Sequence, residues 1–521
     1  MHGLILVLLL NGWAIPQRIE RDDPPSGSAR ADAPVVTRTL GSEATLREDI
    51  DQLIRNAGLR GADWGVMIVS LTNGDTLYAL EPDRAMSPAS NAKLFTTAAA
   101  LYYLGAQFRM STFLMAAGPV DDGVLAGDLV IYGTGDPTFS ARYGGATAVF
   151  DAFADTLEAR GIRAIGGDVV GDASYFRGPG AAEGWQTNYI DASYAAPASA
   201  LSFAENLATL RIQPGATGGP PTVTLVPGGE GIEILNEATT TASGRVSIQA
   251  MRRAYEAPLV VVGRIPRASR GVTRTLPVSD PAGYAAAAFR EILTQRGIEV
   301  RGTSRSVQRV QDSPVTGRSV FAPAFDRASP LRVLALHHSP ALLEILTTVN
   351  KRSHNLFAEQ TFRAVGRVAT GDGSVEGGAQ AVQNLIARET GIDTTQVRLY
   401  DGSGLSVLNR VSARAVIHLL GYMARSPMWE AYRTTLPEAG APDGLRRMQR
   451  TRADRNLVAK TGTLSGVSAL SGYVRAANGE LLAFSILSND VASTWRAKRV
   501  EDGIGVRLAN FTRGDPGPPL R

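Results

Sequence analysis

Apolar and polar positions run in short bursts near both ends of the chain, each pair of bursts separated by a tight-turn dipeptide. From Trp64 to Leu80 an apolar run, Asn73-Gly74 and a second apolar run predict a β-hairpin. Ala469 to Arg475, Asn478-Gly479 and Leu481 to Ser488 repeat the pattern close to the other end. Helical stretches lie between. Hairpins so far apart in sequence predict one antiparallel sheet assembled from both termini and covered by helices, so the main domain is discontinuous in sequence.

The middle of the chain, from about Phe108 to Ala322, has a different character. Gly and Pro punctuate short Val, Ile and Thr runs, and no long helical period dominates. Within it Phe153 to Gly167 and Phe289 to Gly302 resemble each other: each predicts an amphipathic helix that ends in Arg-Gly-Ile and leads into a strand. Gly161 and Gly297 fit the left-handed position that closes a helix. A structureless excursion of this length inside one domain is improbable, so the middle reads as two inserted β-rich domains. The expected division assigns 37–107 and 323–514 to the main domain, 108–185 and 271–322 to the first inserted domain, and 186–270 to a second one nested inside it. The fold class is mixed α/β, of the α+β kind.

At 521 residues the chain has room for several domains. A net charge of +4 with scattered basic residues gives no nucleic-acid-binding stripe and no polybasic membrane tether. Cysteine is absent, which removes disulfides, thiol nucleophiles and cysteine metal sites together. With five histidines and no His-Glu-x-x-His, a zinc hydrolase is not expected; neither a metal nor any other cofactor is. The short apolar stretch Gly3 to Leu10 resembles the core of a secretory signal and is too short to span a bilayer, although no Lys or Arg precedes it. The rest of 1–36, rich in Pro, Ser, Asp and Arg, reads as a disordered tether, so an exported, periplasmic or otherwise extracytoplasmic protein is expected. Oligomeric state leaves no mark in the sequence.

Lysine is the most informative residue type in the composition. Of 53 Lys and Arg residues only Lys93, Lys351, Lys460 and Lys498 are lysine. A guanidinium does not release its proton in a protein, whereas a lysine ammonium can act as a base when desolvated or set beside another cation. Three of the four lie in short polar strings. Ser87-Pro88 before an apolar pattern at Leu94, Phe95, Ala98 and Leu101 predicts an N-cap followed by Pro at the first helical position, which puts Ser90 in the first turn and Lys93 one turn away on the same face. There the Ser90 N–H has no intrahelical acceptor and can help bind an oxyanion. Ser339-Pro340 predicts another helix start; that helix ends near Asn350, so Ser353-His354-Asn355 falls in a tight connection before the next helix at about Leu356. Leu457 to Thr463 reads as a strand carrying Lys460-Thr461-Gly462-Thr463, with Gly462 permitting close backbone approach. With so few lysines, Lys-Thr-Gly is expected by chance on the order of a few hundredths of a time in such a chain.

Ser-x-x-Lys, Ser-x-Asn and Lys-Thr-Gly, in this order, resemble the signature of penicillin-recognising serine enzymes. Gly135-Asp136-Pro137-Thr138, Tyr194-Ala195-Ala196-Pro197, Asp401-Gly402-Ser403-Gly404-Leu405-Ser406 and Leu436-Pro437 narrow the resemblance to the class C low-molecular-mass penicillin-binding proteins, which are D-alanyl-D-alanine carboxypeptidases/endopeptidases. The resemblance runs from about Leu46 to Asn510 and includes the long insertion that simple β-lactamases lack. It implies a serine β-lactamase/D,D-peptidase-like domain, peptidoglycan peptides as substrate and β-lactams as acylating inhibitors. It also implies roles: Ser90 as nucleophile, Lys93 as base, Ser353 and Lys460 as the proton route to the leaving amine, and Asn355 as the anchor of the acyl-side amide. Ser90 and Thr463 N–H groups form the oxyanion hole, and Thr461, Thr463 and the Lys460 charge receive the terminal carboxylate around Gly462. In the family an Arg usually follows Gly-Ser-Gly-Leu-Ser and, with an acidic residue matching Asp172, grips the zwitterionic end of a diaminopimelate side chain. Here that position is Val407, with Arg410 three residues on, so the hydrolytic set is intact and half of that grip is missing.

Two other readings fit the same motifs. A β-lactamase or esterase of the same fold is disfavoured by the large insertion. An inert penicillin-binding scaffold is disfavoured by the complete motif set.

Overall fold

A computed structural model of the chain describes residues 43–226, 232–252, 257–315 and 331–513. The signal-like segment and its tether lie outside these residues. The fold is mixed α/β.

The two predicted hairpins form and join. Asp63–Ser70 and Thr76–Leu80 pair antiparallel, as do Val467–Arg475 and Leu481–Asn489. Asp63–Ser70 then pairs antiparallel with Leu481–Asn489, from Asp63 opposite Asn489 to Ser70 opposite Leu482. Val458–Leu464 completes a five-stranded sheet at the edge beside Val467–Arg475. Strand periodicity divides its side chains between two cores. Val66, Ile68, Leu482, Phe484 and Ile486 face the terminal helices Glu43–Asn56 and Thr494–Ala509, burying Leu46, Ile50, Ile504 and Leu508 with them. Met67, Ala469, Tyr473, Ala483 and Leu487 face the other way, into the core that holds helices Ala92–Tyr103 and Ala413–Arg425. The first and last described elements are therefore adjacent strands and helices of one layered unit.

A second five-stranded sheet runs Ser304–Val307, Val169–Asp172, Asp128–Gly133, Ser111–Ala117, Leu331–His338. Its first three strands are parallel neighbours and the others antiparallel. Helices Ala148–Ala159 and Pro281–Gln295 precede its related strand pairs, and Gly161 and Gly297 take φ of +70° and +80° just past their ends. Asp280 accepts the Gly283 N–H as N-cap of the second helix, ahead of Pro281 in its first turn. Leu210, Ile212, Ile248, Leu259, Val261, Ile265 and Leu276 form a small separate core among the strands of the nested region. Val272–Pro277 pairs with Leu207–Gln213, and Leu331–His338 with Ser111–Ala117. Local composition carries no record of which distant strand a segment will pair with.

Two helix starts differ from expectation. Ser87 caps nothing; its N–H and C=O instead bond the Asn489 side chain at 2.8 and 3.1 Å. Ala89–Asn91 form a 3₁₀ turn and the α-helix begins at Ala92. Ser339 bonds the Met110 N–H and the Pro340 carbonyl, and its helix begins at Leu342. In both places tertiary partners take the hydroxyl or main-chain groups that a Ser-Pro cap would use.

Candidate active site

Three elements of the main unit converge on one point. The Ala89–Asn91 turn carries Ser90, and the helix that follows carries Lys93. Ser353 sits in the connection between helices Leu342–Lys351 and Asn355–Thr370, with Asn355 as the first residue of the second. Lys460 lies on the sheet's edge strand, Val458–Leu464, beside the Ala89–Asn91 turn. Strain marks two of these positions: Ala89 and Ser353 hold φ of +45° and +51°, in the left-handed region that costs a side-chain-bearing residue about 1–3 kcal/mol.

Lys93 is at the centre. Its Nζ lies 3.0 Å from Ser90 Oγ, 2.7 Å from Asn355 Oδ1 and 2.5 Å from the Ser403 carbonyl oxygen. The Asn355 amide is oriented by its other end, Nδ2 donating to the Tyr194 carbonyl at 2.9 Å. Lys460 Nζ donates to Ser353 Oγ and to the Thr461 carbonyl, each at 2.9 Å. Both lysines are fully buried, whereas Ser90, Ser353, Asn355, Thr461 and Thr463 keep partial exposure, so the hydroxyls and the strand edge face the side from which a substrate approaches.

The close approach of these elements depends on missing side chains. Gly404, at φ +83°, lies where a Cβ would run into the Ala89 carbonyl, and a Cβ on Gly462 would stand 2.7 Å from the Pro88 carbonyl. Gly462 and Gly404 thus both let backbone approach the turn that carries Ser90.

The 401–409 loop is fixed from beneath by two carboxyl groups. Asp401 accepts the Gly404 and Ser406 N–H groups, the Asn409 amide and the Trp185 indole at 2.6–3.0 Å. Glu359, one turn along the helix from Asn355, accepts the Gly402 and Ser403 N–H groups on Oε1 at 3.0 and 2.8 Å. Burial first, and then the Asp401 charge, push its carboxyl up to about 7.

Residues from the middle of the chain also reach the site. His354, between the two motif residues, places Nε2 3.1 Å from Glu205 Oε2, and Glu205 also accepts Ser140 Oγ and Arg142 Nε at 2.6 and 2.8 Å. Burial pushes this carboxyl up, but His354, Arg142 and Ser140 outweigh it and hold Glu205 down at about 2. The His354 ring packs on Phe357, whose ring stacks on Tyr143.

Eight of the nine residues singled out from the sequence lie on these converging elements: Ser90, Lys93, Ser353, Asn355, Lys460, Thr461, Gly462 and Thr463. Asp172 lies apart from them: it ends the Val169–Asp172 strand, is buried, and its oxygens accept the Ser174 N–H and the Ser313 hydroxyl. Arg410, three residues after Val407, folds its guanidinium back on the Val407 and Asn409 carbonyls. Glu359, the Ser403 and Tyr194 carbonyls and Glu205 were not singled out. Glu359 had a readable signal, since Asn355 and Glu359 share a helix face at i, i+4 spacing.

The sequence profile of the D-Ala-D-Ala carboxypeptidase 3 (S13) family matches residues 46–511. A D-alanyl-D-alanine carboxypeptidase of Actinomadura sp. (strain R39) is 34% identical over 493 residues, 92% of this chain and 87% of its own. The D-alanyl-D-alanine carboxypeptidase DacB of Haemophilus influenzae is 26% identical, over 81% of this chain and 85% of its own. A crystal structure of penicillin binding protein 4 (dacB) from Haemophilus influenzae has the same fold, with a TM-score of 0.73 at 24% identity, covering 89% of this chain and 99% of that one. The match extends through the inserted region as well as the three motifs, which separates this chain from enzymes that share the motifs alone: it belongs to the D-Ala-D-Ala carboxypeptidase 3 (S13) family.

Proposed function

We propose that this D-Ala-D-Ala carboxypeptidase cleaves peptidoglycan stem peptides or cross-links through an acyl-enzyme on Ser90, and that β-lactams acylate the same oxygen. The observation that carries the reading is the setting of Lys93. A neutral amine has two N–H donors and one lone pair, and Nζ faces two fixed acceptors, Asn355 Oδ1 and Ser403 O, plus one hydroxyl, Ser90 Oγ. With its hydrogens directed to the two carbonyl oxygens, the lone pair points at the Ser90 hydroxyl and takes its proton as Oγ attacks the carbonyl carbon. The carbonyl oxygen becomes an oxyanion held by the Ser90 and Thr463 N–H groups; collapse breaks the C–N bond. Ser353 and Lys460 relay the proton that Lys93 has taken up to the leaving D-alanine nitrogen, and Lys460, Thr461 and Thr463 hold its carboxylate. Water then attacks the ester, giving the shortened peptide acid and restoring Ser90.

The edge position of Val458–Leu464 supports this reading, because an extended peptide can lie along that strand beside the nucleophile turn. Strand pairing supports two inserted domains, one on the second five-stranded sheet and one nested at about 207–277. The signal-like start supports export to the periplasm or another extracytoplasmic space, where this substrate is found. The test is digestion of purified peptidoglycan by wild-type enzyme and by Ser90→Ala, with analysis of released fragments. Wild type is expected to release D-alanine or split cross-links, and Ser90→Ala to do neither; unchanged release by the variant would reject Ser90 as nucleophile.

A further inference from the structure

The loop that supplies the Ser403 carbonyl to Lys93 is held by a carboxyl group that the reaction itself does not use. Glu359 is fully buried in the first turns of the helix that begins at Asn355, and its Oε1 accepts the N–H groups of both Gly402 and Ser403. The residue whose N–H it grips is the one whose C=O meets Lys93 Nζ at 2.5 Å. The Gly402 carbonyl is bonded in turn by Thr96 Oγ1 at 2.7 Å, one helical turn from Lys93. Gly402 and Ser403 are therefore clamped between the nucleophile helix and the second-motif helix.

We infer that Glu359 is a positioning residue for acylation: by fixing Gly402 and Ser403 it holds the Ser403 carbonyl against Lys93 and so directs the lysine's lone pair at Ser90. This inference rests on the reading of Lys93 as the base. Three features support it. Oε2 has no hydrogen-bond partner among the described residues, so the group's bonding is spent on the two loop N–H groups alone. The Asp401 carboxylate stands close enough to oppose its ionisation, an arrangement that costs stability and gives packing nothing that an apolar side chain would not. Finally, one helix carries both Asn355 and Glu359, so the two acceptors around Lys93 are set by a single rigid element.

A small displacement of one acceptor turns the lone pair away from the hydroxyl without altering the surface a ligand touches. The expected signature is thus a split between binding and chemistry. In stopped-flow acylation with a fluorescent penicillin, Glu359→Ala is expected to slow the acylation rate constant by about 10–100-fold while leaving the noncovalent dissociation constant unchanged. Glu359→Gln keeps an oxygen facing both N–H groups but loses the charge, and its rate is expected to fall between the two, less than 10-fold below wild type. Wild-type acylation by Glu359→Ala would overturn the inference, as would a Glu359→Gln variant no faster than Glu359→Ala. Calorimetric unfolding identifies folded variants; should Glu359→Ala not fold, acylation by Glu359→Gln decides, since a loss of 10-fold or more there rejects the acceptor role. Lys93→Ala separates the two readings: if it acylates normally the base assignment fails, whereas if it is inactive and Glu359→Ala is not impaired only the positioning role fails.

Discussion

Glu359 also carries a stability signature that can be read apart from catalysis. Its carboxyl titrates at about 7 in the folded protein against an ordinary 4.5, because burial and then the Asp401 charge outweigh the help from Arg363 and the Ser403 N–H. The folded state therefore keeps a proton that the unfolded chain gives up above about 4.5, so the contribution of this group is most favourable below that pH and is lost as pH rises through 7. The full swing is roughly 3 kcal/mol. Glu359→Gln cannot titrate, so its melting temperature relative to wild type is expected to rise between about pH 5 and about pH 8. A difference that stays flat across that range would contradict a buried, titrating Glu359. At this scale the sequence was legible where a side chain does the chemistry, because four lysines among so many arginines point at their own sites. It was mute where a main-chain carbonyl does the work: nothing in the letters Ser403 or Tyr194 says that their oxygens orient Lys93 and Asn355. Nor does the sequence show that Asp172 is buried and bonded to the Ser313 hydroxyl.

Among the elements, the hairpins were readable because period-two alternation and Asn-Gly turns act within a few residues. The turn that presents Ser90 was not, because its shape is imposed from outside. Ser87 is held by Asn489 of a distant strand, and Ala89 is forced to φ +45° between Gly404 on one side and Gly462 on the other. Gly404 bears most of this arrangement, since it needs a left-handed backbone and also lies against the Ala89 carbonyl. Gly404→Ala must therefore displace either its own loop or the nucleophile turn, and each moves one partner of Lys93. The expected result is an enzyme that folds but is acylated by fluorescent penicillin about 100-fold more slowly, with activity loss larger than any fall in melting temperature implies. Acylation at the wild-type rate would show that the turn keeps its shape without this contact.

Across the whole molecule, the middle of the chain is part of the site's frame. Tyr194 fixes the Asn355 amide, and Glu205 reaches the one residue between Ser353 and Asn355. Because Ser353 holds a left-handed backbone, something must hold it there, and His354 is the neighbour gripped on both sides, by Glu205 and by the Phe357 ring. The Glu205 carboxyl, held at about 2 against an ordinary 4.5, gives stability that is fully present above 4.5 and disappears as pH falls toward 2. Glu205→Gln is therefore expected to lower stability by roughly 1–3 kcal/mol at neutral pH, with the deficit shrinking below about pH 4.5. It is also expected to slow acylation, since the loosened His354 no longer holds Ser353 and Asn355 in register. A double-mutant cycle with His354→Gln isolates the link: if the middle of the chain acts on the motif through this pair, the two substitutions couple by about 0.5–3 kcal/mol in the acylation barrier as well as in stability. Coupling in stability with strict additivity in acylation would mean that the pair fastens the middle of the chain to the site without steering its chemistry.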